Sequence, residues 1–349
     1  FFLKFYNPDK PLNFNEDQHK ERPWVIYGIS LFFFICALWS KTAVCTLPAV
    51  ILLIYWWKQN CIRKKIFLMM IPYFTLSFGF AILTIQLESV NVGAIGPEWE
   101  FSFLDRFLIA GRGLWFYIGK LAWPNPIIFI YPRWIVNDSI WWQYIYPITF
   151  LFLIFILWYL RKNIGKGPLT AILFFAGSLF PVLGFFNVYF HRYSFVADHF
   201  QYIACIGIIV MFASGVNKLM SEKKSQTAFI LLAGLLIVLG NLTWNQIPIY
   251  KDSFSLWNDT IRKNPAAWIA HNNLGVLLEE KGMVSEAITH YKTAIKLNPG
   301  YDKIYSNIGN ALFALGKTEE AISYHKIAIK LKPNFARSHI NLGNVLLAI

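Results

Sequence analysis

Charged residues are scarce in this sequence. Only 15% of its 349 residues are charged, whereas 56% are hydrophobic and 18% are aromatic. A soluble globular domain carries about 25% charged and about 45–50% apolar residues. This deficit, with a mean hydropathy of +0.44, excludes an ordinary cytosolic enzyme, a disordered tail and a disulfide-stapled secreted module. It predicts a membrane protein.

Cysteine signals are also missing. The chain has four cysteines, and none lies in a CxxC motif or beside a histidine. Cys36, Cys45 and Cys205 lie in apolar runs and Cys61 lies in a basic loop, so we interpret them as small hydrophobic residues. Neither a redox function nor a metal site is predicted.

Common catalytic and targeting motifs are absent as well. The sequence has no phosphate-binding loop, GxSxG elbow, HExxH pair or Rossmann fingerprint, which argues against cytosolic nucleotide chemistry. No cleavable signal peptide is visible in residues 1–349. The chain starts at Phe1 and stops inside an apolar run at Ile349, so we expect residues to be missing from both ends.

Long apolar runs dominate the chain up to Trp244. A spanning helix needs about 20 apolar residues, and about 17 are tolerated. The sequence predicts an all-α fold in which about seven spans form a transmembrane bundle, at 24–39, 43–57, 67–87, 141–160, 168–187, 201–217 and 227–243.

The basic residues between these runs predict the orientation. Three short loops are rich in lysine and arginine, namely the loops at 58–65, 161–166 and 218–224. Because positive loops stay on the cytoplasmic side, we place these three inside and assign much of the net charge of +13 to topology rather than to nucleic acid. The number of crossings agrees with this orientation if 88–140 is an outer, interfacial segment that begins and ends on the same side. The residues after Trp244 are then extracytoplasmic.

Residues 245–349 contain a repeat of 34 residues. Gly275, Gly309 and Gly343 have this spacing, as do Pro265, Pro299 and Pro333, and AITHYKTAIKLNP returns as AISYHKIAIKLKP. The period and the small residues match the tetratricopeptide repeat. We therefore predict two domains: a membrane region at 1–244, and an α-solenoid at 245–349 with two complete repeats flanked by partial ones.

Three basic side chains are candidates for binding a lipid phosphate. Arginine suits bidentate phosphate contacts and lysine offers a point charge. On the predicted outer face the positive-inside rule assigns cations no role in topology, which singles out Lys41, Arg112 and Arg192. The alternative is that they anchor the helices at the membrane interface.

The acidic residues leave the catalytic base open. Asp198, Glu98, Glu100 and Asp105 all lie in predicted outer loops, and their spacing does not choose among them. Asp198 is a weak candidate, since it can equally cap the following helix. The spacing of His191 and His199 around Asp198 is not a metal-ligand pattern.

The whole chain resembles GT-C glycosyltransferases that carry C-terminal tetratricopeptide repeats, the TMTC-type O-mannosyltransferases and their bacterial relatives. The resemblance rests on ALWSKTAVCTLPAVILLIYWW at 37–57, GRGLWFYIGKLAWPNPIIFIYPRW at 111–134, HRYSFVADHFQYIACIG at 191–207 and YKDSFSLWNDTIRKNPAAWIAHNNLG at 250–275.

This resemblance implies sugar transfer from a polyprenyl-phosphate donor at the outer or lumenal face, with the repeats presenting an acceptor polypeptide. It implies an integral protein of a bacterial inner membrane, or of the endoplasmic reticulum in a eukaryote. Lys41, Arg112, Arg192, Asp198 and His199 carry over as donor-phosphate or acceptor-site candidates. The family's usual catalytic acid lies in an earlier loop, which we expect to precede Phe1. A membrane-anchored repeat scaffold without catalysis is the alternative, and no nucleic-acid partner is expected.

Overall fold

The structure is a computed structural model, and it describes residues 23–59, 61–94, 96–223, 226–334 and 336–349. These residues contain helices and turns but no β-strand, so the all-α prediction is confirmed for them. The chain folds into two compact units. Of the described residues, those up to Trp123 and Ile135–Leu232 form the first unit, and Pro124–Trp134 and those of Ala233–Ile349 form the second.

The helices of the first unit follow the apolar runs. They are α1 (Pro23–Ser40), α2 (Leu47–Gln59), α3 (Lys64–Gln86), α4 (Phe103–Ala122), α5 (Ile145–Leu160), α6 (Gly167–Leu179) and α7 (Cys205–Lys223), and α8 (Gln226–Gln246) follows them. Short 3₁₀ turns connect several of these helices, and a π-helical turn extends α3 over Leu87–Val92.

Three helical stretches in the described part of the chain are long and apolar enough to cross a membrane. They are Lys64–Val90, Trp141–Leu160 and Phe229–Tyr250, and the last has none of its most apolar window buried. Trp24–Ser40, Gly167–Val182 and Cys205–Lys218 are shorter apolar helices. Three of the seven predicted spans therefore reach full length, while the seven-span bundle stays a prediction.

Two of the predicted spans are shorter for local reasons. The span predicted at 168–187 leaves α-helical geometry after Leu179, where Pro181 lies in a 3₁₀ turn and Gly184 has a φ of +99°. The span predicted at 43–57 begins with a 3₁₀ turn, Thr42–Thr46, and only Leu47–Gln59 is α-helical. Proline inside a run removes a backbone donor, which hydropathy does not register.

Close approaches between helices hold the first unit together. A Cβ on Gly111 would lie 2.5 Å from the Pro147 nitrogen, so α4 meets α5 with almost no gap. A Cβ on Gly207 would lie 2.7 Å from the Ala171 oxygen, and α6 and α7 are equally close. Helices α1, α2 and α3 share a buried cluster formed by Phe34, Leu38, Ile51, Tyr55, Ile66, Met70 and Tyr73.

The second unit contains the repeats. Its helices are α9 (Ser253–Lys263), α10 (Trp268–Glu280), α11 (Val284–Leu297), α12 (Asp302–Ala314), α13 (Thr318–Leu331) and α14 (Ala336–Leu347). Helices α10 to α13 form two pairs, each turning at a glycine with positive φ, Gly282 at +77° and Gly316 at +75°. Such a residue ends a helix without Cβ strain.

Small residues let the two helices of each pair approach. A Cβ on Gly275 would lie 2.6 Å from the Tyr291 ring, and one on Gly309 would lie 2.7 Å from the His325 ring. The period of 34 residues therefore corresponds to one helical hairpin per repeat.

A segment without regular secondary structure belongs to the second unit although it precedes the repeats by more than a hundred residues. Lys263 donates from Nζ to the Ile127 carbonyl at 2.9 Å, and the Asn264 amide donates to the Ile130 carbonyl at 3.0 Å. The Phe129 ring meets Trp257 edge to face. This segment, Pro124–Trp134, lies within the membrane region predicted at 1–244, whereas in the structure it belongs to the second unit.

Candidate functional site

Several polar side chains of the first unit lie where two connections meet. One connection joins α3 to α4 and the other joins α6 to α7. Arg192 forms an ion pair with Glu98, with Nε 2.5 Å from Oε2, and its guanidinium lies 5.6 Å from the centroid of the Trp99 ring. Both charged side chains are partly buried, which strengthens their attraction relative to a fully exposed pair. Arg192 is therefore already held by a carboxylate and an aromatic face.

Arg106 fixes the same two connections to each other, and sequence reasoning did not identify it. Its guanidinium donates to the carbonyls of Trp99 and Gly184, at 3.1 and 2.8 Å, and to the Asn187 side-chain oxygen at 2.9 Å. A further bond runs from Nε to the Phe101 carbonyl at 3.3 Å. The signal for it was a charged residue in a mostly apolar helix, next to Asp105, where a charge is costly unless it is hydrogen-bonded.

The two connections have a second set of contacts. The Trp99 indole donates to the Val188 carbonyl at 3.2 Å and its ring stacks on Tyr189, 6.3 Å between centroids. Glu88 accepts from the Tyr189 backbone nitrogen at 3.0 Å. The contacts of Glu88, Trp99 and Arg106 thus join the stretch before α4 and its first turn to residues 184–189 of the first unit.

Lys41 and His199 line the same small chamber. It has a volume of about 200 Å³, and its wall also includes Ser178, Pro181 and Tyr202. Burial, and to a smaller extent the charge of Lys41, lowers the pKa of His199 below its ordinary value. The imidazole is therefore neutral near neutral pH, and an anion entering the chamber would favour its protonation.

An apolar cavity of about 480 Å³ adjoins this chamber. The two share Thr46 and Val50 in their walls, and the 3₁₀ turn Phe180–Val182 contributes to both. The cavity lies among α2, α4, α5 and α6, and side chains such as Leu53, Phe107, Leu114, Phe150 and Leu173 line it. The cavity has the chemical character of a hydrocarbon site, and the adjoining chamber carries the basic side chain of Lys41.

The other two predicted phosphate ligands lie elsewhere in the first unit. Arg112, on α4, lies 5.8 Å from the centroid of the Tyr146 ring, and Arg192 lies in the ion pair described above. Neither lines the chamber or the apolar cavity. The structure thus brings Lys41 and His199 together, while the binding roles of all four cations stay predictions.

The acidic candidates have distinct surroundings. Asp105 completes a capping box at the start of α4, accepting from Ser102 backbone and side-chain donors at 3.0 and 2.8 Å. Glu98 pairs with Arg192. Asp198 is the first residue of a 3₁₀ turn whose N-cap is Ala197, so it is not the capping residue. The Tyr117 hydroxyl accepts from the Ala197 nitrogen at 3.1 Å and fixes this turn on α4.

The repeats carry a row of amides on their first helices. Asn273, Asn307 and Asn341 are 34 residues apart and partly exposed. Asn307 donates to the Asn272 side-chain oxygen at 3.0 Å, and Asn341 donates to the Ser306 hydroxyl at 2.9 Å. Amide side chains both donate and accept hydrogen bonds, as an extended peptide backbone requires of its partner.

A match to a family model supports the repeats directly. The family model described as TPR repeat matches residues 280–316 and 309–349. A solved structure, the first TPR of Spaghetti (RPAP3) bound to an HSP90 peptide, is 23% identical, covers 33% of this chain and 90% of that chain, and has a TM-score of 0.27. The chain carries tetratricopeptide repeats.

Two curated proteins are similar to part of the chain. "Protein O-mannosyl-transferase TMTC1" of Mus musculus and of Homo sapiens are each 29% identical to it over 132 residues, or 37% of this chain. The chain covers 14% of the mouse protein and 15% of the human protein, so it spans a small part of the length of these relatives.

Proposed function

We propose that this chain is part of a membrane glycosyltransferase that moves a sugar from a polyprenyl-phosphate donor to a polypeptide at the extracytoplasmic face. The observation that carries the proposal is the apolar cavity whose wall continues into the chamber of Lys41 and His199. The similarity to protein O-mannosyl-transferases over 37% of the chain supports the reaction type.

In this proposal the prenyl chain occupies the apolar cavity and the phosphate lies beside Lys41 and His199. Burial of hydrocarbon supplies most of the affinity, at about 0.8 kcal/mol for each CH₂ group. The Lys41 ammonium supplies charge. Arg112 and Arg192 are proposed as further phosphate ligands, and Arg192 would exchange part of its contact with Glu98 for the donor.

The proposed reaction forms a bond between an acceptor hydroxyl oxygen and the sugar's anomeric carbon, while the bond from that carbon to the phosphate oxygen breaks. A base takes the hydroxyl proton and the lipid phosphate leaves with the bonding electron pair. Cations aimed at the leaving phosphate lower the barrier, because charge develops there in the transition state. Asp198 is the candidate base within the chain, adjacent to His199.

The proposed membrane arrangement is a GT-C-like bundle of about seven spans, with the outer segment 88–140 and the repeats on the extracytoplasmic side. The three long apolar helices and the shorter ones support a membrane location. The basic loops at 58–65 and 161–166 support the orientation.

The repeats are proposed to hold the acceptor polypeptide. The row of Asn273, Asn307 and Asn341 offers one amide per repeat to an extended backbone. The same row supports the second candidate function, a membrane-anchored scaffold that binds a partner through its repeats and performs no transfer.

Sugar transfer in membranes containing the full-length gene product separates the two functions. Polyprenyl-phospho-mannose and other polyprenyl-phospho-sugars serve as donors, and glycopeptide is the readout. We expect turnover that falls at least about a hundredfold in Asp198→Asn and about tenfold or more in Arg112→Ala and in Arg192→Ala. Peptide binding by the repeats without turnover for any donor would support the scaffold and remove the transferase proposal.

A further inference from the structure

A second cavity lined by basic side chains lies in the first unit, at the end of α2 and the turn between α5 and α6. Its wall is formed by Trp56, Trp57, Arg161, Lys162, Gly165 and Lys166, and its volume is about 560 Å³. The residues come from the end of α2 and from the turn that joins α5 to α6. It shares no residue with the chamber of Lys41 and His199, and the proposed function does not use it.

Tryptophan rings hold the cations of this cavity in place. The Arg161 guanidinium lies 4.2 Å from the centroid of Trp158, and the Lys166 ammonium lies 4.4 Å from that of Trp56. Lys166 also donates to the Trp56 carbonyl at 3.3 Å. Cations stacked on ring faces keep their other donors available for an anion.

No acidic residue of the surrounding segments compensates this charge. The sequence contains no Asp or Glu at positions 23–87 or 139–197, which include all of α1, α2, α3, α5 and α6. In the described part of the chain, Arg161, Lys162 and Lys166 take part in no ion pair. The positive-inside pattern explains the presence of the cations, whereas it explains neither the cavity nor the ordered stacking.

We propose that this cavity binds the head group of an anionic glycerophospholipid. The phosphate accepts from Arg161, Lys162 and Lys166, and the indoles of Trp56 and Trp57 lie at the level of the glycerol backbone, where tryptophan is enriched. The exposed apolar face of α5, including Leu151 and Phe155, extends from this end of the helix and receives the acyl chains.

The charges also select the class of lipid. A zwitterionic head group brings an ammonium into a cavity that offers it cations and no carboxylate, so the two charges of that head group have opposing effects. Free inorganic phosphate satisfies the cations but leaves the tryptophans and the α5 face uncovered. The site therefore favours an anionic phospholipid over both alternatives.

Native mass spectrometry of the purified full-length gene product tests the proposal. The probes are phosphatidylglycerol, phosphatidylcholine and inorganic phosphate. We expect retained phosphatidylglycerol, and about a hundredfold weaker binding in the triple variant Arg161→Gln, Lys162→Gln, Lys166→Gln. Equal retention of phosphatidylcholine, or displacement of the lipid by millimolar phosphate, would overturn the assignment.

A matched control carries the same change of charge outside the cavity. Arg63→Gln, Lys64→Gln, Lys65→Gln removes three exposed cations of a neighbouring basic loop and should leave phosphatidylglycerol binding within about twofold. An equal loss in both triple variants would contradict a defined site.

A charge-preserving variant guards against a change of topology. Arg161→Lys keeps the positive-inside charges and removes the bidentate donor, and we expect about fivefold weaker phosphatidylglycerol binding from it. Unchanged binding in Arg161→Lys, together with unchanged binding in the cavity triple variant, would overturn the proposal.

Discussion

The two units of this molecule hold their polar side chains in place by different means. In the repeats, contacts recur at fixed separations: His271, Tyr305 and His339 each bond the carbonyl of the proline six residues earlier. In the first unit they join distant positions, Glu98 with Arg192 and Arg106 with Gly184. Polar contacts are thus spread evenly along the repeats, whereas in the first unit a few side chains make most of those that join distant positions.

Arg106→Ala is the substitution from which we expect the largest loss of stability. It removes the donors that hold residues 97–101 against 184–187 and leaves several carbonyls without their partner. We expect a loss of about 3 kcal/mol of unfolding free energy, since bonds from a charged donor contribute about 1.5–3 kcal/mol each and water replaces part of them. Thermal unfolding in detergent measures it.

Lys120→Ala is the matched control on the same helix. Lys120 is near the end of α4 with its ammonium 5.7 Å from the Phe116 ring, so its loss should cost under about 1 kcal/mol. Similar destabilisation by both substitutions would show that Arg106 has no special structural role.

Gly275→Ala is the corresponding test in the repeats. Its Cβ would lie 2.6 Å from the Tyr291 ring, so the hairpin must open or the ring must move. Overpacking of this kind costs about 1–3 kcal/mol. Gly343→Ala is the control, because a Cβ there meets nothing within 4 Å and gains helix propensity. Chemical denaturation should show opposite signs; destabilisation by Gly343→Ala would break the comparison.

A smaller effect distinguishes the second repeat from the first. His325 occupies the place of Tyr291, is 0% exposed, and neither ring nitrogen has a hydrogen-bond partner within the described ranges. Burial lowers the pKa of His325. The unfolded chain therefore binds the proton first, so stability is full above pH about 6.5 and falls as the pH drops below it.

His325→Phe should reduce that acid loss. His271 and His290, whose pKa values burial also lowers, retain their share of it. Unfolding free energies at about pH 7.5 and about pH 5.5 give the comparison. If the unfolding free energy falls by the same amount at low pH in His325→Phe and in the unchanged chain, groups other than His325 cause the fall.

The sequence predicted the repeats closely, because their spacing, small residues and prolines each specify one feature of a hairpin. Gly282 and Gly316 turn the chain where the repeat predicts a turn. Apolar runs likewise predicted most helices of the first unit. Their ends were less accurate, since Pro181 and Gly184 shorten α6 in a way that hydropathy does not register.

The candidate site was predictable only in part. Outer-face position selected Lys41 and the family resemblance added His199, and both line one chamber. The pairing of Arg192 with Glu98 and the central place of Arg106 depend on which loops meet, and no local pattern encodes contacts 78 to 101 residues apart. The same holds for the segment 124–134, which contacts α9 through backbone carbonyls that any sequence would present.

Donor binding by the chamber of Lys41 and His199 can be measured directly. A photoreactive polyprenyl-phospho-sugar is bound to the full-length gene product, with Lys41→Gln and His199→Gln as variants and Lys120→Gln as the control. The sugar-linked phosphodiester does not titrate near neutral pH, so any pH dependence belongs to the protein.

We expect crosslinks to residues of the apolar cavity, and an affinity for the polyprenyl-phospho-sugar about tenfold lower in Lys41→Gln. We also expect this affinity to rise as the pH falls from about 8 to about 6, since the bound phosphate favours protonated His199, with no such rise in His199→Gln. Unchanged affinity in Lys41→Gln, with crosslinks outside the cavity, would contradict the account.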